Sequence, residues 1–191
     1  MPLDIDAILT AHDRAIASIR RLAPQIHEAA ERMLRVLGHG GQIYICGNGG
    51  SAADAQHFAA ELAGRFERER RGLPAIALTT DTSALTSIGN DYGFEHIFRR
   101  QLEALATPGE LLVAISTSGN SANIVETVRF AREHNIQTVG LLGRDGGKLA
   151  TMVDVPLTIP LDNTARVQEA HIVILHMLCE AVESGHEAGG S

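Results

Sequence analysis

Cysteine is scarce in this chain: 191 residues carry two, Cys46 and Cys179. They lie in apolar strand-like and helix-like surroundings, and neither their number nor their spacing supports a disulfide framework or a zinc ribbon, which fits a reducing compartment. Positive charge is also thin. Against 23 acidic residues stand 16 Lys and Arg, for a net charge of -7 and a pI near 5.7. The basic residues scatter except for the run 65–71, so the chain shows no nucleic-acid footprint and any phosphate site must be local. Long apolar runs are missing, and the N-terminus, Met1-Pro2-Leu3-Asp4-Ile5-Asp6, has no basic region leading into an apolar stretch. The expectation is a cytoplasmic protein with no membrane and no nucleic-acid partner. Nor is there an internal repeat, or a low-complexity segment beyond the Gly/Ser tail, so the length points to a single domain with one substantial core.

What is present is an alternation of strand and helix signals. Over 4–38, Ile5, Ile8, Leu9, Ile16, Ile19 and Leu22 recur at spacings of three or four, broken by Pro24 and stopped at Gly38-His39-Gly40-Gly41. The pattern predicts two amphipathic helices whose apolar stripe must be buried on the domain or on another protomer. Ile43-Tyr44-Ile45-Cys46, Leu73-Pro74-Ala75-Ile76-Ala77-Leu78, Leu111-Leu112-Val113-Ala114-Ile115, 138–142 and 155–159 read as strands. Helices are expected after each, at 83–88, 95–105, 122–134 and 149–152, with a long one from an Asp162-Asn163-Thr164 cap to about 183. Gly89-Asn90-Asp91-Tyr92-Gly93 reads as a polar loop. Such an alternation means an α/β fold, a doubly wound parallel sheet with ligands at the carboxyl ends of its strands.

Two turns sit at such ends. In the first, Gly47-Asn48-Gly49-Gly50-Ser51 opens an alanine-rich helix, where free N–H groups can face an anion. A dinucleotide reading fits poorly, because the acidic residue it needs would fall near Glu67, in a charged stretch before the next strand has begun. In the second, Ser116, Thr117, Ser118 and Ser121 place four hydroxyls around a glycine at a helix N-terminus, a natural seat for a phosphate. The bland alternative is that Ser121 only caps the helix. His57 and Glu61, four apart, share one helix face and read either as a metal ligand beside a catalytic carboxylate or as a solvated pair. Gln168, Glu169, His171, His176 and Glu180 form a second polar set on the last helix. Gln168 and His176 are separated by about 12 Å of helix rise, so either their side chains converge or they serve sites built with different protomers. His12, His27, His39, His96, His134 and His186 are assigned to surface or packing roles.

Taken together, Cys46-Gly47-Asn48-Gly49-Gly50-Ser51, Asp54-Ala55-Gln56-His57-Phe58 with Glu61, Leu73-Pro74-Ala75-Ile76-Ala77-Leu78, Gly89-Asn90-Asp91-Tyr92-Gly93, the stretch 115–123 and Arg166-Val167-Gln168-Glu169-Ala170-His171 resemble the sugar isomerase (SIS) domain family. Within it, the chain is similar to the branch that isomerises sedoheptulose 7-phosphate. The resemblance implies a leading helical segment, 1–38, that packs in the oligomer, and a SIS domain over 39–191. It implies a homotetramer with active sites at subunit interfaces and one zinc ion (Zn2+) per site, held by His57, Glu61, Gln168 and His176. Substrate contacts implied are Asn48, Gly49, Gly50, Ser51, Glu61, Asn90, Asp91, Ser116, Thr117, Ser118, Ser121 and Gln168. Glu61 and His176 are implied as the catalytic base and acid pair for an enediol route to D-glycero-D-manno-heptose 7-phosphate, the first step of ADP/GDP-heptose synthesis. A neighbouring branch of the family resembles an adaptor for the bacterial replication initiator and lacks the glutamate that Glu61 supplies. A third type would bind sugar phosphate only as a sensor. Glu61 together with His176 favours the enzyme.

Overall fold

The structure, a computed structural model, describes residues 3–188, with side chains to residue 185. The Gly/Ser tail at 189–191 and the side chain of His186, expected in a surface or packing role, lie outside the described residues. Five parallel strands form the centre: β1 (Ile43–Gly47), β2 (Ala75–Ala77), β3 (Leu111–Ser116), β4 (Gln137–Gly143) and β5 (Val155–Ile159), in the order β2-β1-β3-β4-β5. Every residue of β1 and β3 is buried, as an unbroken apolar run in a doubly covered parallel sheet requires. Side-chain alternation divides the core. Ile43 and Ile45 face the layer of α1 (Ile5–Ile19), α2 (Ala23–Gly38), α3 (Gly50–Ala63) and α7 (Thr164–Ala188). Tyr44 and Cys46 face the layer of α4 (Thr82–Tyr92), α5 (Arg99–Leu105) and α6 (Ala122–Glu133).

From β1 the sheet is wound outward both ways, to β2 on one side and to β3 on the other. The crevice at the carboxyl ends of β1 and β3 is therefore the topological switch point, where a doubly wound sheet takes its ligands. Both glycine and serine turns open there.

Local chemistry accounts for most boundaries. Asp81 caps α4 by accepting from the Ala84 N–H, and Asn163 caps α7 by accepting from Ala165 and Arg166. Pro24 sits in the first turn of α2, where its missing N–H costs nothing, and a single 3-10 turn, Arg20–Leu22, separates it from α1. The apolar stripe of these helices divides. Ala15, Ile19, Ala29, Met33, Val36 and Leu37 are buried against the sheet and α7, whereas Ile5 and Leu9 remain more than half exposed.

Three expectations are corrected. Asn90 and Asp91 do not lie in a loop: α4 runs on to Tyr92, and only Gly93, with φ of 98°, stops it. The stretch 95–105 is not one helix, because Ile97 and Phe98 turn inward to the core between a 3-10 turn and α5. β2 is only three residues long and stands at the sheet edge, which tolerates Pro74 just before it. Among the described residues no helix is long and apolar enough to cross a membrane.

His171 is fully buried on α7, donating Nε2–H to the Leu142 carbonyl at 3.0 Å at the end of β4. Desolvation lowers its pKa to about 4, only partly opposed by that backbone contact. The unfolded chain takes up this proton near pH 6.5 and the folded chain only near pH 4, so stability is lost as pH falls through that window, by about 3 kcal/mol at most. His171→Gln, which can keep the donated hydrogen bond, is expected to flatten the pH dependence of urea unfolding between pH 6.5 and 4. An equally steep dependence in the variant counts against the assignment.

Candidate functional site

The turn after β1 is shaped by two glycines. Gly49 has φ of 57° and ψ of -120°, a conformation in which a side chain would be strained, and the space beyond its Cα is open. A Cβ on Gly50 would come within 2.5 Å of Gln168 Nε2, so the Gln168 amide lies directly over the start of α3. Ser51 is buried beside it.

The turn after β3 gathers hydroxyls. Ser116, only 3% exposed, has its Oγ 3.1 Å from Ser121 Oγ and 3.5 Å from Ser118 Oγ. Ser121 occupies the N-cap position of α6, yet its side chain makes no capping bond; the Ile124 N–H is taken by Asn123 Oδ1 instead. The bland reading of Ser121 therefore fails, and its hydroxyl is turned toward the other serines. Thr117 is half-buried in the same turn.

A residue that the sequence did not single out joins the two turns. Asn48 Nδ2 donates to Asn123 Oδ1 at 2.9 Å, and Asn123 Nδ2 donates back to Asn48 Oδ1 at 2.8 Å. Asn123 is 2% exposed. Its partner lies 75 residues away, so no local pattern could reveal the pair.

His57, Glu61 and His176 form a separate cluster between α3 and α7. His57 Nε2 is 3.0 Å from Glu61 Oε1, and the His57 and His176 rings meet edge to face with centroids 5.2 Å apart. The Phe66 ring also lies against His176, with centroids 5.3 Å apart. One turn before His57, Asp54 carries a carboxyl oxygen that is buried without a partner. Burial pushes its pKa up, and the nearby His57 works the other way.

These two groups are well separated within one chain. Glu61 lies eleven residues along α3 from Gly50, about 16 Å of helix rise. Gln168 stands with the turns, over Gly50, which precedes His57 by seven residues or about 10 Å of α3 rise. Asn90 and Asp91 join neither group: they are exposed on the last turn of α4, with Asn90 Nδ2 donating to Asp91 Oδ1 at 2.8 Å. Next to them, Gly89 lines a cavity of about 470 Å³ that Asn48 and Gly49 bound on one side and Leu85, Phe94 and Phe98 on the other.

For a metal, two imidazoles and a carboxylate are a donor set that zinc accepts. The 3.0 Å between His57 and Glu61 is close to the ~3.3 Å that separates two donors on one tetrahedral zinc. Among the described residues, though, no three His, Cys, Asp or Glu side chains are grouped to hold an ion within one chain. The donors fit in kind, and Gln168 is not with them.

Comparison with known proteins agrees with this architecture. The SIS domain model matches residues 9–143. A phosphoheptose isomerase of Geotalea daltonii is 56% identical over 94% of this chain and 94% of its own length, and one of Helicobacter hepaticus is 53% identical over 94% and 92%. Among solved structures, a phosphoheptose isomerase of Neisseria gonorrhoeae superposes with a TM-score of 0.89 at 50% identity, covering 94% of this chain and 97% of that one. With a sheet, switch point and turns of this kind and relatives this similar over nearly the whole chain, the protein belongs to the SIS domain family, on its phosphoheptose isomerase branch.

Proposed function

We propose that the protein interconverts sedoheptulose 7-phosphate and D-glycero-D-manno-heptose 7-phosphate, the opening step of heptose supply for bacterial lipopolysaccharide, in the cytoplasm. The observation that carries the chemistry is the His57–Glu61–His176 cluster standing apart from a second cluster of phosphate-seating hydroxyls. In this reading the serine turn, with the open N-terminus of α6, takes the phosphate, and Asn48, Gly49, Gly50, Ser51 and Gln168 hold the sugar hydroxyls. Asn90 and Asp91, beside the cavity under Asn48, complete the substrate contacts. Glu61 and His176 divide the proton transfers. One takes the proton from C1 of the ketose as the other supplies a proton to the C2 oxygen, giving the enediol. Return of a proton to C2 with loss of the O1 proton gives the aldose.

The 16 Å between Glu61 and the turns, estimated from helix rise, supports a site completed by a second protomer, in the homotetramer we assign. Zinc, one ion per site, would be held by His57, Glu61 and His176 with a Gln168 brought to them across the protomer interface, and would supply a positive charge beside the developing oxyanion. Two buried, unpaired thiols, Cys46 and Cys179, fit a reducing cytoplasm.

The direct test is incubation with sedoheptulose 7-phosphate, with and without added zinc, while aldose formation is followed. No aldose under either condition would remove the enzyme reading and favour a binding protein. A shared site makes a sharper prediction. Ser118→Ala and Glu61→Gln tetramers, each nearly inactive alone, are expected to regain turnover when dissociated, mixed and reassembled, because some interfaces then carry two intact halves. Mixtures no more active than their components would place the whole site in one chain.

A further inference from the structure

The basic run 65–71 follows Glu61 almost directly, and the site described above gives it no task. Its centre is Arg70, whose side chain is 6% exposed and whose Nε donates at 3.0 Å to Glu183, itself 2% exposed, on α7. Glu183 also accepts three successive backbone N–H groups, from Phe66 at 2.9 Å, Glu67 at 3.0 Å and Arg68 at 3.1 Å. Converging backbone amides of this kind form a nest for an anion, here filled by a carboxylate of the same chain. Burial opposes charge on Glu183, but these amides and Arg70 hold its pKa below the usual carboxylate range.

The rest of the guanidinium is spent on carbonyls, three at the end of α3 and one in the loop that follows. Arg70 Nη1 donates to Leu62, Gly64 and Arg71, and Nη2 donates to the backbone oxygen of Glu61 at 2.8 Å. A buried ion pair is a poor way to gain stability alone, since apolar side chains of similar volume hold helices together as well or better. What a planar fork adds is direction. One end of this fork fixes the residue that carries the Glu61 carboxylate. The other end binds the helix that carries His176, seven residues before Glu183, and the clasped loop sets Phe66 against the His176 ring.

We propose that Arg70 and Glu183 are positioning residues for the reaction: a buried clasp that fixes the separation and facing of Glu61 on α3 and His176 on α7. The proposal rests on those two being the proton-transfer pair. Sub-ångström placement of such a pair governs turnover more than substrate affinity, because the phosphate is seated elsewhere.

The test compares Arg70→Lys, which keeps a charge for Glu183 but loses the fork, with Arg70→Met, which loses both. Assayed as purified tetramer, kcat is expected to fall about tenfold in the lysine variant and about a hundredfold in the methionine variant, with KM within about twofold of the parent. The isotope effect with C1-deuterated substrate should grow as proton transfer becomes limiting. Should the methionine variant not fold, the lysine variant carries the test. Parental kcat, a rise in KM alone, or a loss that tracks only the folded fraction with an unchanged isotope effect would each overturn the clasp. Glu61→Gln separates the two ideas. Full activity there removes the proton-transfer assignment, whereas an inactive Glu61→Gln beside parental kinetics in Arg70→Lys removes the clasp alone.

Discussion

Glu61→Gln is expected to lower kcat for sedoheptulose 7-phosphate by a factor on the order of 10²–10⁴, the usual worth of a positioned acid or base, with little change in KM. The structure explains why the loss should be so selective. Glu61 makes its side-chain hydrogen bond to His57 and is a quarter exposed, so a glutamine oxygen can keep that contact without leaving a buried charge unpaired. The serine turn at Ser116, Ser118 and Ser121, the proposed phosphate seat, lies toward the other end of α3 and should bind as before. Melting temperature and oligomeric state should therefore match the parent. Solvent deuterium exchange at C1 should stop along with turnover, since both need the same proton transfer. A variant that turns over at the parental rate would show that Glu61 is not part of the pair.

The fold was legible because its signals are local and redundant. The wholly apolar run of β3 could only be a strand covered on both faces, and Asp81 and Asn163 mark helix starts by their chemistry alone. Where local signals were weak the reading slipped. Gly89-Asn90-Asp91-Tyr92-Gly93 is rich in turn formers, yet packing of Leu85 and Ile88 against the second core carries α4 through it. For the candidate site, the sequence offered residue types but no distances. Nothing in the spacing of Gly50, Glu61, Gln168 and His176 reveals that the first and third meet while the second and fourth lie with His57 toward the far end of α3. The contacts that hold the site together, Asn48 with Asn123 and Arg70 with Glu183, span 75 and 113 residues. A periodicity argument has no access to such pairs, because each partner looks like an ordinary polar residue in its own segment.

Asn123→Leu is expected to damage both stability and substrate affinity, for one physical reason. The side chain of Asn123 is nearly sealed from water, exchanges two hydrogen bonds with Asn48 and accepts the Ile124 N–H. Leucine fills similar volume, so the loss falls on polar groups and not on packing. The freed Ile124 amide and the half-buried Asn48 side chain should together cost about 2–3 kcal/mol, read as a lower urea midpoint with an unchanged m-value. Asn48 would no longer be tied to the serine turn, so the proposed phosphate seat and the proposed sugar-holding turn lose their fixed register, and KM should rise about tenfold, equivalent to about 1.4 kcal/mol. Because Glu61 and His176 lie elsewhere, kcat at saturating substrate should fall much less. A cycle with Asn48→Ala and Asn123→Ala isolates the pair: a coupling of about 1 kcal/mol or more is expected in both stability and KM. Strict additivity in both would mean that the two turns are held in place by their glycines and the sheet, and that the amide pair only fills the space between them.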